Sequence, residues 1–259
     1  MVMPLYDDNS DVRIFPIVNI VIIAINILVF VFLQGMGSNQ KFTMAYSAVP
    51  AEIASGKDIV TKPEVRIVDT PEGRVQVEVP GLEPTPIPVY LTLLSSMFMH
   101  GSIMHIVGNM WFLWIFGDNI EQDLGRLRYA LFYVICGVAA ALAHVLLTMH
   151  GNSAQTPMLG ASGAISGVMG GYLVLHTNRR VTVLLLRIIM DVPAYVAVGM
   201  WFGFQLLSGL AMLGGQEDGV AYAAHIGGFV AGLALAPAFT IGRPRPERQP
   251  SGAPQYGGQ

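Results

Sequence analysis

The sequence predicts an all-α membrane protein, a bundle of six transmembrane helices with a long outside loop after the first helix. Three observations predict it. Hydrophobic residues make up 53% of the 259 positions and charged residues only 12%, where a soluble domain carries about 25% charged. Mean hydropathy is positive, +0.55. The apolar residues also gather into six runs of about 20 residues, the length that crosses a hydrocarbon core as a helix.

The six runs are roughly 15–34, 97–116, 128–149, 158–177, 193–213 and 220–241. The stretch Ile14–Leu33 is too long for a signal-peptide core and has no obvious small-residue cleavage site. Asp7, Asp8 and Asp11 precede it, where a signal peptide carries basic residues, so it is expected to stay as a span. The second run has a fringe starting near Tyr90. Val181–Met190 is apolar but short, flanked or interrupted by Arg180, Arg187, Asp191 and Pro193, and is expected to lie at the interface before the fifth span.

The domain organisation follows. Residues 1–14 form a cytoplasmic N-terminal segment, 15–241 a membrane domain whose outside loop covers about 35–92, and 242–259 a disordered cytoplasmic tail rich in Pro, Gly, Arg and Gln. Within the loop, Ser47–Gly56 suits a short helix. Val65–Val68 and Val75–Val79, joined by Thr70-Pro71-Glu72-Gly73, suit a hairpin, and a lone hairpin is marginal unless it packs on the membrane domain. A proline-rich run, Pro80 to Pro88, leads into the second span.

Lysine and arginine asymmetry sets the orientation. With a cytoplasmic N-terminus, the inside segments hold Arg13, Arg126, Arg128, Arg179, Arg180, Arg187, Arg243, Arg245 and Arg248, and the short outside loops near 150–157 and 214–219 hold no basic residue. The long first loop does carry Lys41, Lys57, Lys62, Arg66 and Arg74, but long loops report topology poorly. Both termini are therefore expected inside, in a multi-pass protein of the lipid bilayer. The basic residues are scattered and form no stripe, so nucleic acid is not an expected partner. Cys136 is the only cysteine, which rules out an intramolecular disulfide and any cysteine zinc cluster.

Polar and ionisable groups inside a membrane are expensive and point to function. In this topology the second, fourth and sixth spans all run from outside to inside. His105 and Asn109 lie early in the second, Ser162 early in the fourth, and His225 early in the sixth, so all four fall in the outer half at roughly one depth. His105 and Asn109, four apart, share a helix face. Gly163, Gly167, Gly170 and Gly171 in the fourth span, and Gly227, Gly228 and Gly232 in the sixth, give small surfaces that let helices approach closely. A Ser–His pair is the minimal kit for nucleophilic acyl transfer. The spans hold no lysine for a Ser–Lys dyad and no pair of aspartates. The chain has no HExxH, so no metal site is expected.

At these residues the chain resembles the rhomboid family of intramembrane serine proteases, in its bacterial branch. Gly160-Ala161-Ser162-Gly163 matches the family's G-x-S-G, Ala224-His225-Ile226-Gly227-Gly228 its A-H-x-x-G, and His100, His105 and Asn109 its H-x-x-x-x-H-x-x-x-N. The run Phe116–Glu121 followed by Gly125 is also similar. The resemblance implies a Ser–His dyad without a third carboxylate, Ser162 as nucleophile and His225 as base. It further implies an oxyanion hole from the Ser162 backbone N–H with the His105 and Asn109 side chains. It implies no cofactor and transmembrane proteins as substrates, and the compact six-span form suggests a bacterial inner membrane.

The chain departs from the pattern in three places. Ser166 stands where many members carry an aromatic residue that packs on the catalytic histidine. Val220, next to Gly219, stands where some carry glycine. The first loop is longer and more polar than in compact members. His100 is expected to be structural, tethering the first loop. His144, His150 and His176 have no matched partners; Trp111, Trp114 and Trp201 are expected to pack or face lipid; Glu121 and Arg126 are expected to stabilise the cytoplasmic turn. Two alternatives stay open. One is a catalytically silent relative that binds transmembrane helices, although such relatives usually lack the serine or the histidine. The other is a small transporter, which would call for paired charges or broken helices at midplane.

Overall fold

The computed structural model describes residues 2–70, 73–213 and 222–243. Strand β1 spans Val2–Asp7. Helix α1, Ile17–Leu28, continues as a π-helical turn over Val29–Leu33. The first loop contains α2 (Gln40–Tyr46), α3 (Pro50–Ser55), β2 (Glu64–Thr70), β3 (Gly73–Val79) and the single turn α4 (Thr92–Ser95). Then follow α5 (Ile103–Leu124), α6 (Arg126–Thr148), α7 (Ser162–Leu175), β4 (Arg180–Leu185), β5 (Ile188–Pro193), α8 (Ala194–Leu213) and α9 (Tyr222–Phe239). Each of the six apolar runs thus carries a helix. Among the described residues, α6 and α9 are long and apolar enough to cross a bilayer unaided. Helix α5 qualifies together with the bent segment Val89–Phe98.

Two helix starts differ from the apolar runs. The run 97–116 is broken: Val89–Phe98 meets α5 at 80°. Ser102 caps α5 by accepting the His105 N–H at 3.1 Å. The His100 backbone just before it is held by Gln34, whose amide accepts His100 N–H at 2.9 Å and donates to His100 O at 3.0 Å. His100 therefore ties the end of α1 to the start of α5. The run 158–177 yields only 14 helical residues, because Gly160 takes a φ of +129° and delays the helix to Ser162. At 1.5 Å per residue α7 is about 21 Å long, short of the roughly 30 Å hydrocarbon core. Ten consecutive residues, Gly163–Tyr172, are buried. A helix apolar all round is one surrounded by others, and α7 sits at the centre against α5, α6, α8 and α9.

Glycine brings α7 and α9 into backbone contact. A Cβ on Gly232 would stand 2.6 Å from the Gly167 carbonyl carbon and 2.8 Å from its Cα, and one on Gly228 2.9 Å from the Gly163 carbonyl carbon. The small-residue spacing of the fourth and sixth runs is used for this approach.

The chain is mostly helical, as expected, but the stretch before the fifth run needs correcting. Val181–Met190 is not a simple interfacial stretch but most of an antiparallel hairpin, β4–β5, and β1 pairs antiparallel on the free edge of β4 in the order β1-β4-β5. Val181, Thr182 and Val183 are all buried, as befits the middle strand of the three. The turn places Leu186 and Arg187 at φ +47° and +76°, the double left-handed geometry of a tight hairpin. Trp111 Nε1 donates to Pro4 O at 2.7 Å and pins β1 to α5. In the first loop the expected helix and hairpin are present as α3 and β2–β3, the strands registered from Glu64 opposite Val79 to Thr70 opposite Gly73. Pro71 and Glu72 of the hairpin tip, the loop 214–221 with Gly219 and Val220, and the tail from Pro244 lie outside the described residues.

One end of the bundle is sealed by polar contacts. The Glu121 carboxylate accepts the backbone N–H groups of Val18 at 3.1 Å and Asn19 at 2.8 Å, an anion at the start of α1. Arg128 donates to Phe239 O and Ile241 O, and Arg243 to Gln122 O and Asp123 O, so the α5–α6 turn grips the end of α9. Arg179 holds the Asp11 carboxylate and also donates to the Asn119 side-chain oxygen. The described parts of both chain ends therefore meet at this face. The first loop caps the opposite one, where Ala48 bridges Met158.

Candidate active site

The face under the first loop holds the residues singled out in the sequence. Ser162 opens α7, and His225 lies in the first turn of α9. Their side chains meet: His225 Nε2 is 2.7 Å from Ser162 Oγ, across 63 residues of chain. The approach depends on the glycine contacts one turn below, because only hydrogen side chains let the two helix axes come this close.

The start of α7 supplies free donors. Ile165 N–H is the first to bond back within the helix, to Ala161 O at 3.0 Å. The N–H groups of the first turn, including that of Ser162, have no carbonyl one turn earlier and form the positive end of the helix dipole. Gly101 N–H donates to His105 Nδ1 at 3.3 Å, so in the neutral ring Nε2 carries the proton. A Cβ built on Gly160 would lie 3.0 Å from His105 Nε2 and 3.6 Å from Ser162 Oγ. The His105 N–H and the serine hydroxyl thus flank one small space that a side chain at Gly160 would fill. Asn109, one turn along the same face of α5, has a buried Nδ2 with no acceptor among the described residues. A cavity of about 20 Å³, roughly enough for one water, lies beside Ser162 and is lined by Met97, Gly137, Leu159 and Ala224 among others.

The other histidines lie apart from this contact or beside it. The His100 ring packs edge-on against His105, centroids 5.1 Å apart. His144 is buried in α6, and His176 stands 2.8 Å from Asp123 at the sealed end. Ser166, four residues after Ser162, donates to Ser162 O at 2.6 Å.

The His225 ring is held from other directions. Trp201 lies 6.2 Å away, centroid to centroid, at 37°, and Tyr222 meets it edge-on at 6.3 Å. Of the two roles expected for it, Trp201 thus takes packing. Gln205, which sequence reasoning passed over, places Oε1 2.8 Å from His225 Nδ1. The signal was present: Gln205 is the one carboxamide in the run 193–213, and it lies four residues after Trp201 on the same helix face.

Comparison with known proteins agrees with the motifs. A sequence model described as the Rhomboid domain matches residues 89–241. The chain is 32% identical over 150 residues to RHOMBOID-like protein 4 of Arabidopsis thaliana, a match covering 55% of this chain and 32% of that protein. It is 32% identical over 141 residues to Presenilin-associated rhomboid-like protein A, mitochondrial, of Danio rerio, covering 51% and 36%. It is 27% identical over 149 residues to Rhomboid protease GluP of Bacillus subtilis (strain 168), covering 58% and 26%. The matches thus span between about a quarter and just over a third of the length of these relatives.

Proposed function

The chain belongs to the rhomboid family, and from that membership and the Ser162–His225 contact we propose that it is an intramembrane serine endopeptidase. It cleaves transmembrane segments of other membrane proteins. The membrane domain is 15–241, its six helices cross the bilayer, and both termini face the cytoplasm of a bacterial inner membrane. The first loop and the site beneath it face outside, from where water reaches Ser162.

Ser162 Oγ attacks the scissile carbonyl while His225 Nε2 takes its proton. The tetrahedral intermediate collapses as His225 returns that proton to the leaving amine, and water then repeats the sequence on the acyl-enzyme. The oxyanion is held by the Ser162 backbone N–H, the His105 Nε2–H and the Asn109 amide, three donors preorganised in a place where competing water is scarce. Serine, imidazole and fixed donors suffice for this chemistry, and no cofactor is called for. An extended peptide must reach the serine, so substrates whose helix unwinds easily near the cut are favoured.

The observation that carries the reading is the 2.7 Å contact between an imidazole and a serine hydroxyl inside two apolar helices, since polar groups are retained there at a cost. The test is cleavage of a generic transmembrane substrate in liposomes by wild type and Ser162→Ala, with fluorophosphonate labelling alongside. Wild type should cut and label at Ser162; Ser162→Ala should do neither, and His225→Ala should lose the label. Turnover by Ser162→Ala would sink the mechanism. Absence of both cleavage and label in wild type would favour a relative that only binds transmembrane helices.

A further inference from the structure

We propose that Gln205 is a positioning residue that sets the tautomer of His225. The proposal rests on the protease reading of the Ser162–His225 pair and adds a third member to it. A carboxamide oxygen only accepts hydrogen bonds. With Gln205 Oε1 2.8 Å from His225 Nδ1, that nitrogen must carry the proton. A neutral imidazole has one N–H, so Nε2 presents its lone pair to Ser162 Oγ at 2.7 Å, and the hydroxyl donates. This is the arrangement a general base needs.

The opposite tautomer would aim an N–H at the serine and leave no base. In Ser-His-Asp enzymes a carboxylate prevents this, and papain-like enzymes use a carboxamide for the same purpose. Inside an apolar helix a carboxylate would bury a charge, whereas an amide fixes the proton without one. Helix α8 supplies both the acceptor and, one turn earlier, the Trp201 ring that lies against the imidazole at 6.2 Å. The ring is thus oriented from α8 rather than from an aromatic on α7, where Ser166 stands.

The experiment combines nitrogen NMR of the histidine-labelled protein in micelles with steady-state kinetics. The His225 signal is assigned by its loss in His225→Gln. Wild type should show the proton on Nδ1, and Gln205→Leu should lose that preference while kcat falls about 10²-fold, with KM little changed. The expected loss lies between about tenfold, the worth of one hydrogen bond, and about 10⁴-fold, the effect of a wrong tautomer. Gln205→Glu keeps an acceptor oxygen and should recover kcat to within about tenfold of wild type, a rescue that a merely space-filling role would not give. A wild-type His225 protonated on Nε2 overturns the assignment, and that spectrum needs no variant to fold. So does Gln205→Leu with kcat within about twofold of wild type, since that is less than one hydrogen bond is worth. Should wild type neither cleave nor label, the protease reading fails, and the tautomer in wild type and Gln205→Leu still decides the role of Gln205.

Discussion

Replacing Gly232 with alanine adds a single methyl group in the backbone contact between α7 and α9. That carbon would stand 2.6 Å from the Gly167 carbonyl carbon, where ordinary contact begins at 3.4 Å. The Gly167 carbonyl oxygen stands closer still, so the helices must part by more than about 1 Å. The neighbouring atom is backbone, so it cannot turn aside as a flexible side chain would. Transmitted two turns along α9, the same opening would stretch the 2.7 Å Ser162–His225 contact beyond about 3.5 Å, past the reach of a hydrogen bond. Two magnitudes then decide where the effect appears. Overpacking costs about 1–3 kcal/mol of stability, and alanine returns up to about 1 kcal/mol of helix propensity, so folding changes little. Misplacing reacting groups by about 1 Å costs about 10²-fold in rate. Gly232→Ala should therefore fold, and lose about 10²-fold in kcat on a transmembrane substrate in liposomes. Gly203→Ala on α8, where an added Cβ meets nothing within 4 Å, is the control and should keep wild-type turnover. A Gly232→Ala protein with wild-type helicity and turnover within about twofold would refute the idea that this backbone contact holds the dyad in register.

Three further outcomes are expected. Asn109→Ala should lower kcat by about 10²–10³-fold without abolishing it, because the His105 and Ser162 donors remain; an unchanged rate removes Asn109 from the oxyanion site. Asp7, at the sealed end, is pushed up from 3.8 to about 7 by burial, against the Tyr172 hydrogen bond and the Arg179 charge that pull it down. A raised native value means the fold holds this proton more tightly than the unfolded chain, so its stabilisation is full at low pH and is lost as pH rises through about 7. The melting temperature in detergent should fall between about pH 4 and about pH 7 and level off above that, and Asp7→Asn should flatten the fall; an equal slope in both proteins would contradict the burial of Asp7. Glu121→Ala strips two backbone N–H groups at the start of α1 of their acceptor, and should cost about 1–2 kcal/mol in unfolding free energy while leaving kcat/KM unaltered. A stability equal to wild type would show that water replaces the carboxylate there.

The sequence alone determined the places of the six helices, the α3 helix and β2–β3 hairpin of the first loop, and the pairing of Ser162 with His225. Each is a local or strongly periodic signal. An apolar run of about 20 residues has few folded forms, valine-rich repeats around Thr-Pro-Glu-Gly favour a hairpin, and a serine and a histidine each stand near the start of an apolar run. Tertiary structure decided the rest. The β1-β4-β5 sheet was hidden because a short apolar run such as Val181–Met190 suits a strand or a helix equally, and its partner strand β1 starts far away in the sequence, at Val2. The break before α5 arises because Gln34, from the end of α1, claims both backbone groups of His100. Gln205 was visible as a lone amide in an apolar run, but what it touches depends on the rotation of α8 against α9. Periodicity records which face of a helix is apolar; only packing fixes which atom of a neighbouring helix that face meets.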